Sequence, residues 1–295
     1  MQEPFKFQSV TSGLTPAKDL EIDADIKLLV LDIDGTIAGE SNQIREPVCR
    51  AVQAAQAQGV QVAIATGRMY RSALRFHQAI GSTLPILAYQ GALIQDPKTQ
   101  HILNHKTVSL DLTEQLLDYF DHPDRRDRLS VHLYINDQLY VRDVQAETQS
   151  YAERSGVEPI PVGDLRQFLR EEPTKVLTLC DRPSLVETLL HDLRQRYQPE
   201  DLYLTRSVST FFEATNPQAN KGEAVRYLAE EILGLRPNQV MAIGDNFNDL
   251  EMLTYAGIGV AMGNAPAKVQ AIADWVAPDV ESDGAVVAIE KFILK

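Results

Sequence analysis

Apolar residues follow one another without alternation at Leu28-Leu29-Val30-Leu31, the pattern of a strand buried on both faces of a parallel sheet. Residues 46–58 are rich in Ala and Gln and stop at Gly59, as a helix does. Residues 60–65 read as a second buried strand, 70–80 as a helix and 85–89 as a short strand. Toward the carboxyl end the rhythm returns. Residues 220–233 read as a helix stopped by Gly234, and 239–243 as a strand. A helix over 249–255 and a strand over 258–262 follow. Alternating strand and helix predicts an α/β fold, a doubly wound, Rossmann-like parallel sheet.

One long interruption breaks the alternation. Residues 129–142 read as two strands joined near Asn136-Asp137, residues 111–121 and 183–197 as helices, and 175–180 as a strand. The expected organisation is a core of residues 25–95 and 207–295, with an inserted α+β domain at 96–206. Residues 1–24 are polar and mixed in charge, without the apolar core of a signal peptide, and read as a flexible extension.

Composition narrows the partners. The 28 Lys and Arg against 41 Asp and Glu leave a net charge of -13, which argues against nucleic acid and against anionic membranes. An anionic substrate must then be held by a few local cations. Cys49 and Cys180 have no metal-type spacing, and a disulfide scaffold is not expected. No stretch reaches the roughly 20 apolar residues of a membrane helix. A cytoplasmic protein without an obligate protein partner is the expectation.

The chemistry begins where the first strand ends. Asp32 and Asp34, in Asp32-Ile33-Asp34-Gly35-Thr36, stand where open α/β sheets bind ligands. Two acids so placed repel one another unless a cation or a proton-transfer role compensates. An EF-hand loop counted from Asp32 needs Gly at its sixth position and Glu at its twelfth, where Ile37 and Gln43 stand. Thr66-Gly67 offers a hydroxyl and open backbone N–H groups for a phosphate oxygen. Lys221 offers a cation at a helix start, and Asp245, Asn248 and Asp249 gather at another strand end. Acids, one cation and a Gly turn with a hydroxyl suit metal-assisted phosphoryl transfer, with Mg²⁺ on the carboxylates and one carboxylate as nucleophile.

These segments resemble the haloacid dehalogenase superfamily of phosphatases, in its Cof-like, class IIB, large-cap branch. The motifs are DIDGT at 32–36, TGR at 66–68, NKG at 220–222 and GDNFNDLEML at 244–253, with AMGNA at 261–265 and Asp283-Gly284 behind them. The insertion lies where that branch carries its cap. The resemblance implies that Asp32 is nucleophile and metal ligand. It implies that Asp34 is general acid and then base, with its backbone carbonyl on Mg²⁺. Thr66, Gly67 and Lys221 are to hold the phosphoryl group, with Asn248 near it. Asp245 completes the metal site, and Asp249 serves as a ligand or supports one. Gln90-Gly91-Ala92 stands where the branch often has Asn-Gly-Ala, so a substrate contact there is not carried over.

The leading expectation is a Mg²⁺-dependent phosphomonoesterase acting on a small phosphorylated metabolite, a sugar phosphate by resemblance. A sugar phosphomutase and a catalytically silent binding module on the same fold are the alternatives. His101 and His105 read as loop histidines, since zinc needs more ligands. Gly257, Gly259 and Gly263 lack dinucleotide-loop spacing. Arg125, Arg126 and Arg128 read as a solvated loop, and Trp275 as packing.

Overall fold

Successive residues of β1 (Leu28–Leu31) enter different apolar layers, which is why the strand shows no alternation. Leu29 and Leu31 pack into one cluster with Val52 and Ile289, and Leu28 and Val30 into another with Val225 and Leu228. The computed structural model describes residues 25–294, so the extension expected over 1–24 lies outside the described residues.

Along the chain, β2 (Gln61–Ile64), β3 (Ile86–Ala88), β4 (Leu93–Gln95) and β5 (Ile102–His105) precede the insertion. The insertion carries β6 (Ser130–Ile135), β7 (Gln138–Val141), β8 (Pro159–Pro161), β9 (Lys175–Leu179), β10 (Tyr203–Thr205) and β11 (Phe211–Thr215). The chain then returns through β12 (Val240–Gly244), β13 (Ile258–Ala261) and β14 (Trp275–Val276). The core sheet has the order β14-β13-β12-β1-β2, parallel throughout. The expected α/β fold is the one observed.

Two details depart from the sequence reading. The strand expected at 85–89 touches the core sheet only through a parallel bridge, Ala65 to Leu87. Its main pairing is antiparallel, with β4, which pairs in turn with β5. The helix expected at 220–233 is α-helical over Lys221–Arg226 and widens to a π-helix over Tyr227–Ile232.

The inserted sheet has the order β10-β11-β9-β6-β7-β8, antiparallel except between β7 and β8. Its pairing sets the edges of the insertion differently from 96 and 206. β5 lies beyond residue 96 yet pairs beside the core, and β11 lies beyond residue 206 yet pairs with β9. These three- to five-residue strands are too short for periodicity to assign them to a sheet. The Asn136-Asp137 turn joins β6 to β7, with φ of 51° and 54°, as a two-residue hairpin loop of the primed type requires.

Helices Leu110–Phe120 and Pro183–Arg196 cover one face of this sheet, through Leu116, Phe120, Leu189 and Leu193. The strand period of two divides β9 between them and the core. Val176 packs under the helices, whereas Lys175, Leu177 and Leu179 face a cavity shared with the core.

Candidate active site

The carboxyl ends of β1 and β12 deliver Asp32 and Asp245 to one side of the sheet, and the end of β2 delivers Thr66 there. Lys221 opens the helix Lys221–Arg226 that Asn220 caps, with its side-chain oxygen accepting from Glu223 N–H at 2.8 Å. Asp32, Thr66 and Asp245 line a cavity of about 810 Å³ between core and insertion, and Lys221 lies buried behind Asp32.

Lys221 is fully buried, and its ammonium donates to Asp32 Oδ1 at 2.7 Å and Asp249 Oδ1 at 2.6 Å. The other oxygen of Asp249 accepts from the backbone N–H groups of Asp245 and Asn246, each at 2.9 Å. Asp249 thus holds Lys221 and the turn that carries Asp245. Asp245 accepts from Thr36 Oγ1 at 3.2 Å and from Asn264 Nδ2 at 3.3 Å. Gly35, at φ 79°, lets this carboxylate approach, since a Cβ there would lie 2.2 Å from Asp245 Oδ2.

Asp32, Asp245 and Asp249 each offer an oxygen within 4.8 Å of the others. Three buried carboxylates face one ammonium, so the site is short of positive charge. Burial, with the neighbouring acids, pushes Asp32 up to about 7 and Asp245 up to about 8. Hard oxygen donors with a surplus of negative charge fit a divalent cation such as Mg²⁺.

Asp34 stands apart from this cluster. Arg68 donates to both its carboxylate oxygens, and Arg154 of the insertion donates to Oδ1 at 3.3 Å. Burial favours its neutral form, but the two guanidinium groups outweigh burial and hold it below the usual carboxylate range. Only its backbone carbonyl remains for the metal role expected of it.

Thr66 is buried, and its hydroxyl accepts from the Arg68 backbone N–H at 3.1 Å. Gly67 is backed by Gln90, whose Nε2 would lie 2.5 Å from a Cβ. Asn248 donates from Nδ2 to Gln90 Oε1 at 3.1 Å. The Gln90 side chain therefore meets protein rather than cavity, and it carries no substrate contact.

Sequence reading did not assign Arg68, Arg154, Lys175, Glu213 or Asn264. Arg68 was within reach, inside the TGR motif beside Thr66. Lys175 and Glu213 pair at 3.0 Å across β9 and β11, both buried, and nothing in the chain order couples them. His105 meets Thr174, Arg125 lies over the Tyr119 ring, and Trp275 packs on Phe292.

Residues 29–289 match the model of the haloacid dehalogenase-like hydrolases. The chain belongs to that family. The Bacillus subtilis protein YxeH is 30% identical over 279 residues, spanning 91% of this chain and 98% of its own. YitU of the same organism, a 5-amino-6-(5-phospho-D-ribitylamino)uracil phosphatase, is 28% identical over 265 residues, spanning 87% of this chain and 94% of its own. In fold the chain is similar to a subclass IIB sugar phosphatase, at 22% identity and a TM-score of 0.79, over 90% of this chain and 98% of that one. The expected placement, a large-cap member of this family and a phosphoric monoester hydrolase, agrees with these relatives.

Proposed function

We propose that this hydrolase cleaves small phosphate monoesters through an aspartyl-phosphate on Asp32. The contact that carries the proposal is the 2.7 Å ion pair of Asp32 with Lys221, which lies buried behind the cavity wall that Asp32, Thr66, Gly67 and Asp245 form. An oxygen of Asp32 attacks phosphorus, the bond from phosphorus to the ester oxygen breaks, and Asp34 passes to that oxygen a proton it must first take up, against the hold of Arg68 and Arg154 on its ionised form. Asp34 then takes a proton from water, whose oxygen attacks phosphorus and releases Asp32. The ionised state in which Arg68 and Arg154 hold Asp34 suits this second half. Lys221, the Thr66 hydroxyl and the Gly67 N–H group offset charge on the phosphoryl oxygens.

Asp32, Asp245 and the Asp34 carbonyl would hold Mg²⁺, with Asp249 behind them. Bound there, Mg²⁺ supplies a Lewis acid against the phosphoryl charge.

The substrate is a phosphorylated sugar or polyol. A body larger than a free sugar is favoured by the cavity volume and by the apolar wall of Tyr151, Leu177, Leu179 and Phe211. The phosphorylated ribityl-uracil named for YitU is of that shape. The test is phosphate release by the full chain from a panel of sugar, polyol and nucleoside phosphates, with Mg²⁺ or with chelator. Release should require Mg²⁺ and vanish in Asp32→Asn. An isomeric sugar phosphate without release identifies a mutase, and no turnover across the panel refutes the proposal.

A further inference from the structure

Gln90 is fully buried at the centre of a left-handed run, with φ of 53° at Tyr89, 60° at Gln90 and 89° at Gly91. Two adjacent non-glycine residues hold that conformation only where their surroundings over-determine it. For Gln90 those surroundings are polar on both sides. Its Nε2 donates to Glu213 Oε2 at 3.2 Å, and its Oε1 accepts from Asn248 Nδ2 at 3.1 Å. Glu213 is fixed in turn. Lys175 donates to Glu213 Oε2 at 3.0 Å and to the Gly67 carbonyl at 2.8 Å. The backbone N–H and the hydroxyl of Ser207 donate to Glu213 Oε1. None of Lys175, Glu213, Gln90 and Asn248 is more than 3% exposed.

The direction of this chain is dictated by its charged end. A carboxylate only accepts, so Gln90 must turn its NH₂ to Glu213. Its oxygen is then left for Asn248, which must answer with NH₂. What remains of Asn248 is Oδ1, a buried atom without a partner among the described residues, on a side chain whose residue lines the cavity. We propose that Gln90 is a positioning residue: the Lys175–Glu213 pair acts through it to make Asn248 present an acceptor to the catalytic cavity. An ionised phosphoryl oxygen cannot satisfy that acceptor, because it has no proton to give. A water poised for attack, or a hydroxyl of the substrate, can. Asn248 thereby orients a donor instead of gripping phosphate. The inference rests on the phosphatase reading.

The double substitution Lys175→Met with Glu213→Gln tests it. The Ser207 N–H keeps an oxygen facing it, so the new amide at position 213 turns its NH₂ toward Gln90. Gln90 and Asn248 must then reverse, and Asn248 brings its NH₂ to the cavity. Inorganic phosphate should bind about tenfold more tightly by calorimetry, while kcat falls about tenfold without a matching rise in KM. A purely structural role would weaken phosphate binding or leave it unchanged, and either result in a folded variant overturns the proposal. If the double variant does not fold, Gln90→Leu replaces it. Asn248 Nδ2 then loses its acceptor and turns to the anion, so phosphate should again bind more tightly, and unchanged binding again overturns the idea. A wild-type protein that neither binds phosphate nor hydrolyses esters removes the phosphatase reading, and this inference with it.

Discussion

Arg68 donates to the two carboxylate oxygens of Asp34, from Nε to one and from a terminal nitrogen to the other, at 2.7 Å each. The same terminal nitrogen donates to Asn42 Oδ1 at 2.6 Å. Asp34 is thereby gripped from the core by Arg68 and from the insertion by Arg154.

Releasing that grip should show in the leaving group. Arg68→Met should slow hydrolysis of an alkyl phosphate by about tenfold or more, because proton delivery to a poor leaving group depends on where Asp34 sits. An aryl phosphate, which leaves without a proton, should lose far less. Steady-state kinetics on both esters decide it, and equal losses would count against Asp34 as the acid.

Lys221→Met leaves Asp32, Asp245 and Asp249 without their buried counter-charge. Stability should fall by about 3–5 kcal/mol, the cost of stranding buried charge. Added Mg²⁺ should then raise the melting temperature more in the variant than in the wild type. Scanning calorimetry with and without the ion measures both effects, and an unshifted melting temperature contradicts the charge account.

Gly35→Ala places a methyl group 2.2 Å from Asp245 Oδ2, on a backbone with φ 79°. Either Asp245 moves or the loop does. Mg²⁺ affinity should drop by about 10–100-fold, as it does when the supports of a metal ligand are lost. Titration calorimetry reads this directly, and wild-type affinity would show that the loop yields at no cost to the site.

His132 makes a pH prediction away from the catalytic cavity. It is fully buried, with Nε2 2.9 Å from Thr148 Oγ1 and Nδ1 3.4 Å from the Tyr134 hydroxyl. Its ring also packs against Tyr151. Burial, with the Lys175 ammonium, pushes it from 6.5 down to about 3. The unfolded chain therefore takes up a proton that the folded chain refuses. Stability present above pH 6.5 is lost as pH falls toward 3, by up to about 1.4 kcal/mol per unit. The melting temperature should fall less steeply between pH 7 and 5 in His132→Gln, and an identical slope would refute the assignment.

β1 was legible to the residue, because a strand buried on both faces leaves an unbroken apolar run that turns polar at Asp32. Asp32, Lys221, Asp245 and Asp249 were legible as a set, since each follows a strand end or opens a helix, and the fold brings them into contact. Asn248 lines the same cavity as Asp32, but the orientation of its amide depends on Gln90 and Glu213, which lie far away in sequence. Lys175 and Glu213 were invisible for a related reason. A lone Lys opening β9 and a lone Glu within β11 read as solvated charges until antiparallel pairing buries them together. The meander of β3, β4 and β5 escaped because its strands are three or four residues long, shorter than an alternation signal needs.

The register of β1 against β12, Leu28 opposite Val240 through Leu31 opposite Ile243, sets an order on biosynthesis. The strand that carries Asp32 leaves the ribosome long before the neighbour that carries Asp245, and the whole insertion is made between them. Until then, β1 has β2 on one side and an unpaired edge on the other. The nascent protein thus holds Asp32 early but lacks Asp245 and Asp249, the acids that close the cluster around it. Asp32 can meet Lys221, Asp245 and Asp249 only after most of the last third of the chain has been translated. That interval is also when the open apolar edge of β1 is most exposed to misassembly.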